Sequence, residues 1–344
     1  MMSRRSRNQF PPSVVGDVAI LTIEDFDEVG YLLTNPDVAD AVRDGVCADG
    51  WEHYQRHGRA ERRSTRRPVE TRVEKILASV DTSGLGLEVG PFHSPITPKR
   101  DGYSVEVMDF LDTEGLRSHY ASLAVHDVDL DAVEEVDYIW RGEPLVELVG
   151  GPARYEWVIA SHVVEHIPDL VSFLRGVSEI LTPGGRLSLA VPDKRYCFDH
   201  YSPLTTTGQL LDAHLERRVR PSPGQAFDYF ARCSQLDGAI AWAPGISGTP
   251  EFRHDITMAG NGWRSSMDGE DFAGELHLWR FTPESFRLII TELDIVGLLD
   301  LVIVDSRPTA GSEFFVTLGH GSMSVTEAER LELVRAAVNS DRGD

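Results

Sequence analysis

Several features that mark particular protein classes are scarce or missing in this chain. Its 344 residues include three cysteines, Cys47, Cys197 and Cys233, and no Cys-x-x-Cys pair, which argues against a disulfide scaffold and a cysteine-built zinc site. Only three residues are lysine, and the net charge of −22 argues against nucleic acid or an anionic membrane as a partner. No window approaches eighteen apolar residues, and the N-terminal residues lack the apolar segment of a signal peptide. We therefore expect a cytoplasmic protein with no transmembrane segment.

What the chain does contain is the alternating pattern of an α/β protein. Its length of 344 residues suffices for one large domain with an appendage or for two modest domains, and the apolar fraction of 41% is that of a globular protein. Short apolar runs predict seven strands, at 85–90, 103–109, 136–140, 155–161, 185–193, 298–305 and 312–319. Helical spacing predicts helices at 71–80, 169–181, 282–293 and 326–338. We predict that residues 71–344 form a doubly wound, mostly parallel seven-stranded sheet. Its last two strands are an antiparallel pair at one edge, and residues 199–276 are an irregular insertion.

The first 70 residues form a separate predicted region. Residues 1–18 have no periodicity and are expected to be disordered, and the arginine-rich residues 62–70 are expected to be a linker. Between them, residues 24–63 have helical spacing, with Asn35 as N-cap and Pro36 as the first helical residue. This segment carries NPDV, HY, HG and R in order, and it resembles a short module appended to bacterial proteins that handle surface glycans. The alternative is a helical hairpin that packs on the main domain.

The ends of the first two strands predict a cofactor site. In an open parallel sheet, ligands bind at the carboxyl ends of the strands near the switch point. The first strand ends at Gly90, which permits a close approach of ligand to backbone, and the second ends at Asp109, whose carboxylate suits a pair of ribose hydroxyls. The fingerprint Gly-x-Gly-x-x-Gly is absent, and Pro91 has no N–H for a pyrophosphate. A cofactor without phosphate fits better, which indicates S-adenosyl-L-methionine (SAM).

Five segments together resemble the class I SAM-dependent methyltransferases, over roughly residues 72–320. They are LEVGPFHSPI, VEVMDF, WVIASHVVEHIPD, LTPGGRLSLAVPD and FTPESF. The resemblance implies a Rossmann-like fold in which Glu88 and Gly90 lie near the methionine moiety and Asp109 holds the ribose. It also implies that Met108 or Phe110 flanks the adenine, and it adds Pro91 and Ser161 to the predicted cofactor contacts. One departure is the short connection of twelve residues between Gly90 and Tyr103, which leaves room for a turn or two of helix.

The stretch SHVVEH, residues 161–166, follows the fourth strand, and on a helix its His162, Glu165 and His166 would share a face. Three interpretations remain open. Glu165 and His166 fix the loop by hydrogen bonds, or His162 is a general base, or the three residues bind a metal together with His277. A fourth interpretation, the HxxEH motif of inverted zinc peptidases, fits poorly directly after a buried strand in this frame.

A second resemblance supports the metal interpretation. The combination of VVEH with a later His-x-Trp-x-Phe-Thr resembles the metal-dependent branch of the family, which includes small-RNA 2′-O-methyltransferases and ubiquinone-pathway O-methyltransferases. That branch has Glu at the position of His162. Three imidazoles and one carboxylate, from His162, His166, His277 and Glu165, favour Mn, Fe, Co or Zn over Mg.

The resemblance to the SAM-dependent methyltransferases implies an O-methyltransferase acting on a small hydroxylated acceptor. The candidate catalytic residues are His162, His166 and Asp193, the last at the rim that follows strand five. The resemblance of residues 24–63 favours a saccharide-related acceptor. Two alternatives stay open: a metal-independent N- or C-methyltransferase, and a catalytically silent SAM-fold domain that acts as a binding module in glycan assembly. The oligomeric state is left open.

Overall fold

The computed structural model of this chain describes residues 23, 26–43, 45–61, 63, 65, 70–122, 129–270, 272 and 276–341. The chain divides into two compact units, Met1–Glu70 and Thr71–Asp344. The predicted disordered start and most of the predicted linker lie outside the described residues, so both stay predictions. No helix in the described ranges is long and apolar enough to cross a membrane.

The first unit is helical where it is described. Its helices are α1 (Glu28–Thr34), α2 (Pro36–Arg43) and α3 (Gly50–His53), and a π-helical turn, Tyr54–Gly58, follows α3. The helix α2 begins at Pro36, as the sequence predicts, because the fixed φ of proline suits the first helical position. The carboxylate of Glu28 accepts hydrogen bonds from the backbone N–H groups of Gly50 and Trp51, at 2.6 and 3.0 Å, and so connects α1 to α3.

The second unit alternates strands and helices. In chain order its elements are α4 (Arg72–Leu77), β1 (Gly86–Val89), β2 (Val105–Asp109), α5 (Thr113–Ser122), β3 (Tyr138–Ile139), α6 (Leu145–Leu148), β4 (Tyr155–Ser161), α7 (Leu170–Ile180), β5 (Leu181–Pro192), α8 (Thr207–Leu215), α9 (Pro223–Arg232), β6 (Ser234–Gln235), β7 (Glu251–Phe252), α10 (Ile256–Met267), α11 (Pro283–Ile295), β8 (Leu301–Ala310), β9 (Glu313–His320) and α12 (Glu327–Ser340).

The seven-stranded sheet has the order β3-β2-β1-β4-β5-β9-β8. The pairs among β1 to β5 are parallel, whereas β9 is antiparallel to both β5 and β8. This confirms the predicted doubly wound, mostly parallel sheet with an antiparallel pair at one edge. The strand order reverses between β1 and β4, so the switch point, where ligands bind in such sheets, lies at their carboxyl ends.

Both faces of the sheet are covered, and β4 shows why. Successive side chains of a strand point to opposite faces. Trp157 and Ile159 pack with Ile76 of α4 on one face, and Val158 lies in the larger cluster on the other face. The helices α7 and α11 contribute to that larger cluster, and all residues from Trp157 to Ala160 are buried. A strand buried on both faces reads as a continuous apolar run, which is why the sequence predicts β4 well.

Two connections between elements can be compared with the sequence analysis: the one between β1 and β2, and the insertion at 199–276. Between β1 and β2 the helical structure is a 3₁₀ turn, Lys99–Asp101, as the twelve-residue spacing requires. The insertion at 199–276, which the sequence left unassigned, contains α8, α9 and α10 and the small antiparallel pair β6–β7. Capping boxes with Thr206 at α8 and Ser222 at α9 mark two of these helices, and both signals are readable in the sequence.

Candidate active site

Gly90 lies at the switch point, and its backbone is in close contact with Met108 and Val163. Its N–H donates to the carbonyl of Met108 at 2.8 Å, which continues the β1–β2 pairing by one residue past the strand. Its φ is +61°, and a Cβ placed there would lie 3.0 Å from Cγ2 of Val163. Glycine is therefore required at this position both by conformation and by space. The predicted cofactor residue Pro91 is buried and begins the loop that follows.

Asp109 at the end of β2 carries an unused acceptor. The residue is 5% exposed, and its Oδ1 accepts a hydrogen bond from the N–H of Phe110 at 2.8 Å. Its Oδ2 is buried and has no hydrogen-bond partner among the residues that the structure describes. Burial raises the pKa of Asp109 to about 6, against the opposing effect of the backbone N–H groups of Phe110 and Phe92. A buried carboxylate oxygen without a donor is costly, and a bound hydroxyl would supply the missing donor.

Aromatic rings surround this carboxylate. Phe92, at a φ of +62°, packs on Tyr120 with 3.5 Å between ring centroids. Phe110 makes an edge contact with His119 at 5.8 Å. The pKa of Tyr120 is raised by burial and by the charge of Asp109, which shows that the phenol lies near the carboxylate. The sequence predicts Phe110 at this place but not Phe92 or Tyr120.

Glu88, predicted to contact the cofactor, is occupied by the loop after β1. Its carboxylate accepts hydrogen bonds from the N–H of Ile96 at 2.6 Å and from the N–H and hydroxyl of Thr97 at 2.9 and 2.6 Å. Burial raises the pKa of Glu88 despite these donors. In this structure, the carboxylate holds the loop that begins at Pro91. The contact of Glu88 with cofactor stays a prediction.

The stretch 161–166 is a turn and not a helix. His162 has a φ of +55°, the N–H of His166 donates to the carbonyl of Val163 at 2.9 Å, and α7 begins only at Leu170. A helical spacing of His162, Glu165 and His166 is therefore not what brings their side chains together. The turn does so, because it places the imidazoles of His162 and His166 beside the buried carboxylate of Glu165.

Glu165 lies at the centre of a group of imidazoles. Its Oε1 is 3.6 Å from Nδ1 of His162, 3.7 Å from Nε2 of His166 and 3.8 Å from Nε2 of His277. Both of its carboxylate oxygens are buried without a hydrogen-bond partner in the described part of the chain. The carbonyl of Glu165 accepts hydrogen bonds from the N–H groups of Leu278 and Trp279, which brings the segment of His277 to the turn.

In His166, which is partly buried, and in His277, which is buried, Nδ1 is held by a hydrogen bond. Nδ1 of His277 is bonded to Oδ2 of Asp199 at 2.5 Å, and Nδ1 of His166 to the carbonyl of Leu276 at 2.9 Å. Both acceptors hold Nδ1, so each Nε2 faces Glu165 and is the nitrogen that a ligand could reach. Burial lowers the pKa of His166 to about 4, so this imidazole is neutral at pH 7. Glu165, His166 and His277 form a group whose donor atoms lie within 4.8 Å of one another.

His162 belongs to a different network, although the sequence places it in the same site. Its Nε2 is bonded to Oε2 of Glu313 at 2.8 Å, and Glu313 also accepts two hydrogen bonds from Arg72 at 2.7 and 2.9 Å. Arg72 donates further to the hydroxyl of Ser161 at 2.6 Å, which occupies a side chain predicted to contact the cofactor. Burial opposes protonation of His162, but the bond to Glu313 and the charge of Glu165 outweigh it and raise its pKa.

Asp193, a predicted catalytic residue, is fully buried and saturated. Its Oδ1 accepts from the N–H and Nε of Arg195, and its Oδ2 accepts from Nη2 of Arg195 and the hydroxyl of Thr309. Neither oxygen is left for an acceptor proton, so this geometry gives Asp193 a structural role at the end of β5. Asp199, Glu313 and Arg72 are the site residues that sequence reasoning did not identify.

Comparison with known proteins gives matches to solved structures only. No family model and no curated protein matches the chain. A structure described as a zinc-dependent alcohol dehydrogenase from Rhodobacter sphaeroides has 14% identity and a TM-score of 0.40, over 74% of this chain and 90% of that chain. A SAM-dependent methyltransferase from Mesorhizobium loti has 13% identity and a TM-score of 0.36, over 72% of this chain and 97% of that one.

Methyltransferases predominate among the matches that are described by name. The trans-methyltransferase CalH in complex with SAH (S-adenosylhomocysteine) has 15% identity and a TM-score of 0.32, over 69% of this chain and 51% of that one. At identities below 25% and TM-scores below 0.5, these likenesses carry no conclusion about the activity of this chain.

Proposed function

We propose that this chain transfers a methyl group from SAM to a hydroxyl of a small acceptor. The observation that carries the proposal is the buried, unpartnered Oδ2 of Asp109 at the switch point, next to the bare backbone of Gly90. A ribose with two neighbouring hydroxyls supplies donors for this carboxylate. The loop after Gly90 begins with a proline and offers no series of free N–H groups, which fits a cofactor without a pyrophosphate better than a dinucleotide.

The proposed reaction is an in-line displacement. The acceptor oxygen attacks the methyl carbon, the carbon–sulfur bond breaks with its electron pair passing to sulfur, and SAH leaves. This requires the acceptor oxygen about 3 Å from the methyl carbon and a group that takes up the hydroxyl proton. His162 stands at the carboxyl end of β4, with Glu313 holding its Nε2 and Nδ1 directed towards Glu165. We assign to His162 the uptake or orientation of that proton.

We also propose that Glu165, His166 and His277 hold a divalent cation, with Mn, Fe, Co and Zn as the candidates. The residues fit such an ion. Nε2 of His166, Nε2 of His277 and the unpartnered carboxylate of Glu165 converge. In both histidines Nδ1 is hydrogen-bonded to an acceptor, which orients the ring. A bound divalent ion would lower the pKa of an acceptor hydroxyl and orient it. In this structure Nε2 of His162 is paired with Glu313, so we propose three protein ligands and leave His162 outside the set.

Binding of SAH tests the first proposal directly. Calorimetry on the full chain is expected to show a single saturable site for SAH and for SAM. A silent binding module would show no heat with either compound, which would contradict the proposal. A metal-independent N- or C-methyltransferase would bind both compounds but retain full activity in chelator. The saccharide relation of the acceptor rests on the resemblance of residues 24–63 and stays a prediction.

A further inference from the structure

The insertion between β5 and α11 lines a half-open cavity of about 180 Å³, and none of its lining side chains has been assigned a role in the proposed methyl transfer. It lies beside the C-terminal end of α9. Six of its lining residues are Phe198, Tyr229, Phe230, Ile240, Arg253 and Leu276. Most of this lining is apolar, and it contains no carboxylate among the residues that the structure describes.

The cavity adjoins the proposed metal group. The ring of Phe198 lies 4.4 Å, centroid to centroid, from the ring of His277. The carbonyl of Leu276 accepts the hydrogen bond from Nδ1 of His166. Two lining residues of the cavity therefore touch two of the three proposed metal ligands. A molecule in the cavity would therefore contact residues that pack directly on these two proposed ligands.

The size and walls of the cavity suit one flat ring. Phe198 and Tyr229 meet edge to face at 5.7 Å, and Tyr229 meets Phe230 in the same way at 5.1 Å. A cavity of about 150 Å³ lined by apolar side chains is large enough to bind benzene. The volume of about 180 Å³ thus holds one six-membered ring with small substituents. Aromatic walls favour an aromatic ring through stacked and edge contacts.

Arg253 gives the cavity a positive charge. Arg253 is an exposed residue, and its side chain makes no hydrogen bond or ion pair in the part of the chain that the structure describes. The charge of Arg253 affects the pKa values of two neighbouring residues. Burial raises the pKa of the Cys233 thiol to about 11 while Arg253 opposes this rise, and burial lowers the pKa of His254 with Arg253 adding to the effect. An unpaired guanidinium at the wall of a ring-sized cavity suits a carboxylate on the ring.

We propose that this cavity holds the ring of the methyl acceptor and that the acceptor is a one-ring aromatic acid, with its carboxylate at Arg253. This inference rests on the proposed methyl transfer and names its substrate class. A sugar ring fits less well, because each of its hydroxyls needs a partner when buried. Besides Arg253, the lining offers only the phenol of Tyr229, the imidazole of His254 and the weakly polar thiol of Cys233.

Binding of small probes tests the cavity without turnover. Benzoate, benzyl alcohol and glucuronate are titrated into the full chain, with and without SAH, by calorimetry and saturation-transfer NMR. Benzoate is expected to bind, and R253Q is expected to weaken it about tenfold or more because a charge-assisted hydrogen bond is lost. R264Q is the matched control, since Arg264 is an exposed arginine of α10 that contacts Asn261, and it is expected to bind benzoate as the wild type does.

Three results would overturn the inference: no binding of benzoate, equal binding of benzyl alcohol or glucuronate, or equal binding of benzoate by R253Q. A second experiment offers SAM with mono- and dihydroxybenzoates or with a set of saccharides and reads methylation by mass. Methylation of a hydroxybenzoate, with R253Q raising KM more than it lowers kcat, supports the inference. Methylation of saccharides alone contradicts it and leaves the proposed methyl transfer intact. Failure to bind SAH contradicts the methyl transfer itself, while the benzoate titrations stay readable.

Discussion

Nε2 of His277 lies 3.8 Å from Oε1 of Glu165, although the two residues are far apart in the sequence and neither is hydrogen-bonded to the other. The backbone brings them together, since the carbonyl of Glu165 accepts from the N–H groups that follow His277. A buried carboxylate without a donor is expensive, and it is rarely kept at a position where a neutral residue would pack as well. The relationship is most simply explained by a cation that binds between the two side chains.

Metal content and stability together test this explanation. Wild-type protein purified without chelator is expected to contain about one divalent ion per chain, and E165Q is expected to contain far less. E147Q, in the exposed side chain of a residue of α6, is the matched control and should keep the ion. With the ion bound, wild type is expected to melt above E165Q. In chelator E165Q is expected to melt above wild type, because the variant lacks the uncompensated buried charge. Equal metal content in wild type and E165Q, or none in wild type, would contradict the proposal.

Asp199 offers a test that leaves all three proposed ligands in place. It is buried, bonded to Nδ1 of His277 at 2.5 Å and to Nε of Arg280 at 3.1 Å. Burial raises its pKa, but the attraction of His277 and Arg280 outweighs burial, so the pKa is lowered. D199N is expected to weaken metal binding about 10- to 100-fold, since the acceptor that fixes the His277 tautomer is weakened.

Metal affinity of D199N is measured by calorimetry well below the melting temperature, because loss of the buried ion pair also destabilises the fold. D212N, in an exposed aspartate of α8, is the control. Unchanged metal affinity in D199N would show that Asp199 does not act through His277.

The sequence predicts the sheet and the cofactor end of the site better than it predicts the chemistry. Buried parallel strands are continuous apolar runs, and Gly90 and Asp109 stand at strand ends that the chain order alone identifies. The His-x-Trp-x-Phe-Thr motif also identifies His277 from the sequence. By contrast, hydrophobic periodicity within a segment gives no information on contacts between residues far apart in the sequence. The contacts of Asp199, Glu313 and Arg72 are of this kind.

The turn at 161–166 shows a second limit of sequence reasoning. The spacing of His162, Glu165 and His166 fits a helix, yet His162 adopts a φ of +55° and ends that possibility. In the same way Asp193 looks like a rim carboxylate in the sequence, but Arg195 and Thr309 occupy both of its oxygens. In each case the tertiary hydrogen bonds decide, and these depend on residues outside the motif.

Gly90 can be tested against a glycine that shares its conformation but not its surroundings. Gly102 has a φ of +90° and nothing within 4 Å of a built Cβ, whereas Gly90, at +61°, would place a Cβ 3.0 Å from Val163. Both G90A and G102A are expected to lose about 1–2 kcal/mol of unfolding free energy from the positive φ. Only G90A is expected to weaken SAH binding. A loss of SAH affinity in G102A as well would mean that the effect comes from general destabilisation.

Glu313 predicts an acid-dependent contribution to stability. Burial raises its pKa, but the hydrogen bonds from His162 and Arg72 outweigh burial and lower the pKa from 4.5 to about 2. A depressed native pKa stabilises the fold above the unfolded value of 4.5, and this stability is lost as the pH falls towards 2. E313Q is therefore expected to be less stable than wild type by about 2 kcal/mol at pH 7, with the difference shrinking between pH 4.5 and pH 2.

Denaturant melts across pH 2–7 measure this difference. E147Q is a suitable control, because Glu147 is an exposed residue of α6 whose side chain makes no hydrogen bond or ion pair in the described residues. A difference between E313Q and wild type that does not change with pH would show that the Glu313 charge is not what stabilises.

Asp109 predicts that ligand binding also weakens as the pH falls, at a higher pH than the loss of the Glu313 contribution. Burial raises its pKa to about 6, and the ionised form is the better acceptor for ribose hydroxyls. At pH 5 only about a tenth of the unliganded protein carries the charge, so affinity should fall about tenfold between pH 8 and pH 5. The probe is 5′-methylthioadenosine, which has the ribose hydroxyls but no amino-acid group that titrates in this range. D109N should bind it weakly and with no pH dependence, while D101N, in an exposed aspartate of the neighbouring turn, should follow wild type. Equal pH dependence in D109N and wild type would remove Asp109 from the cofactor site, because the titrating group would then lie elsewhere.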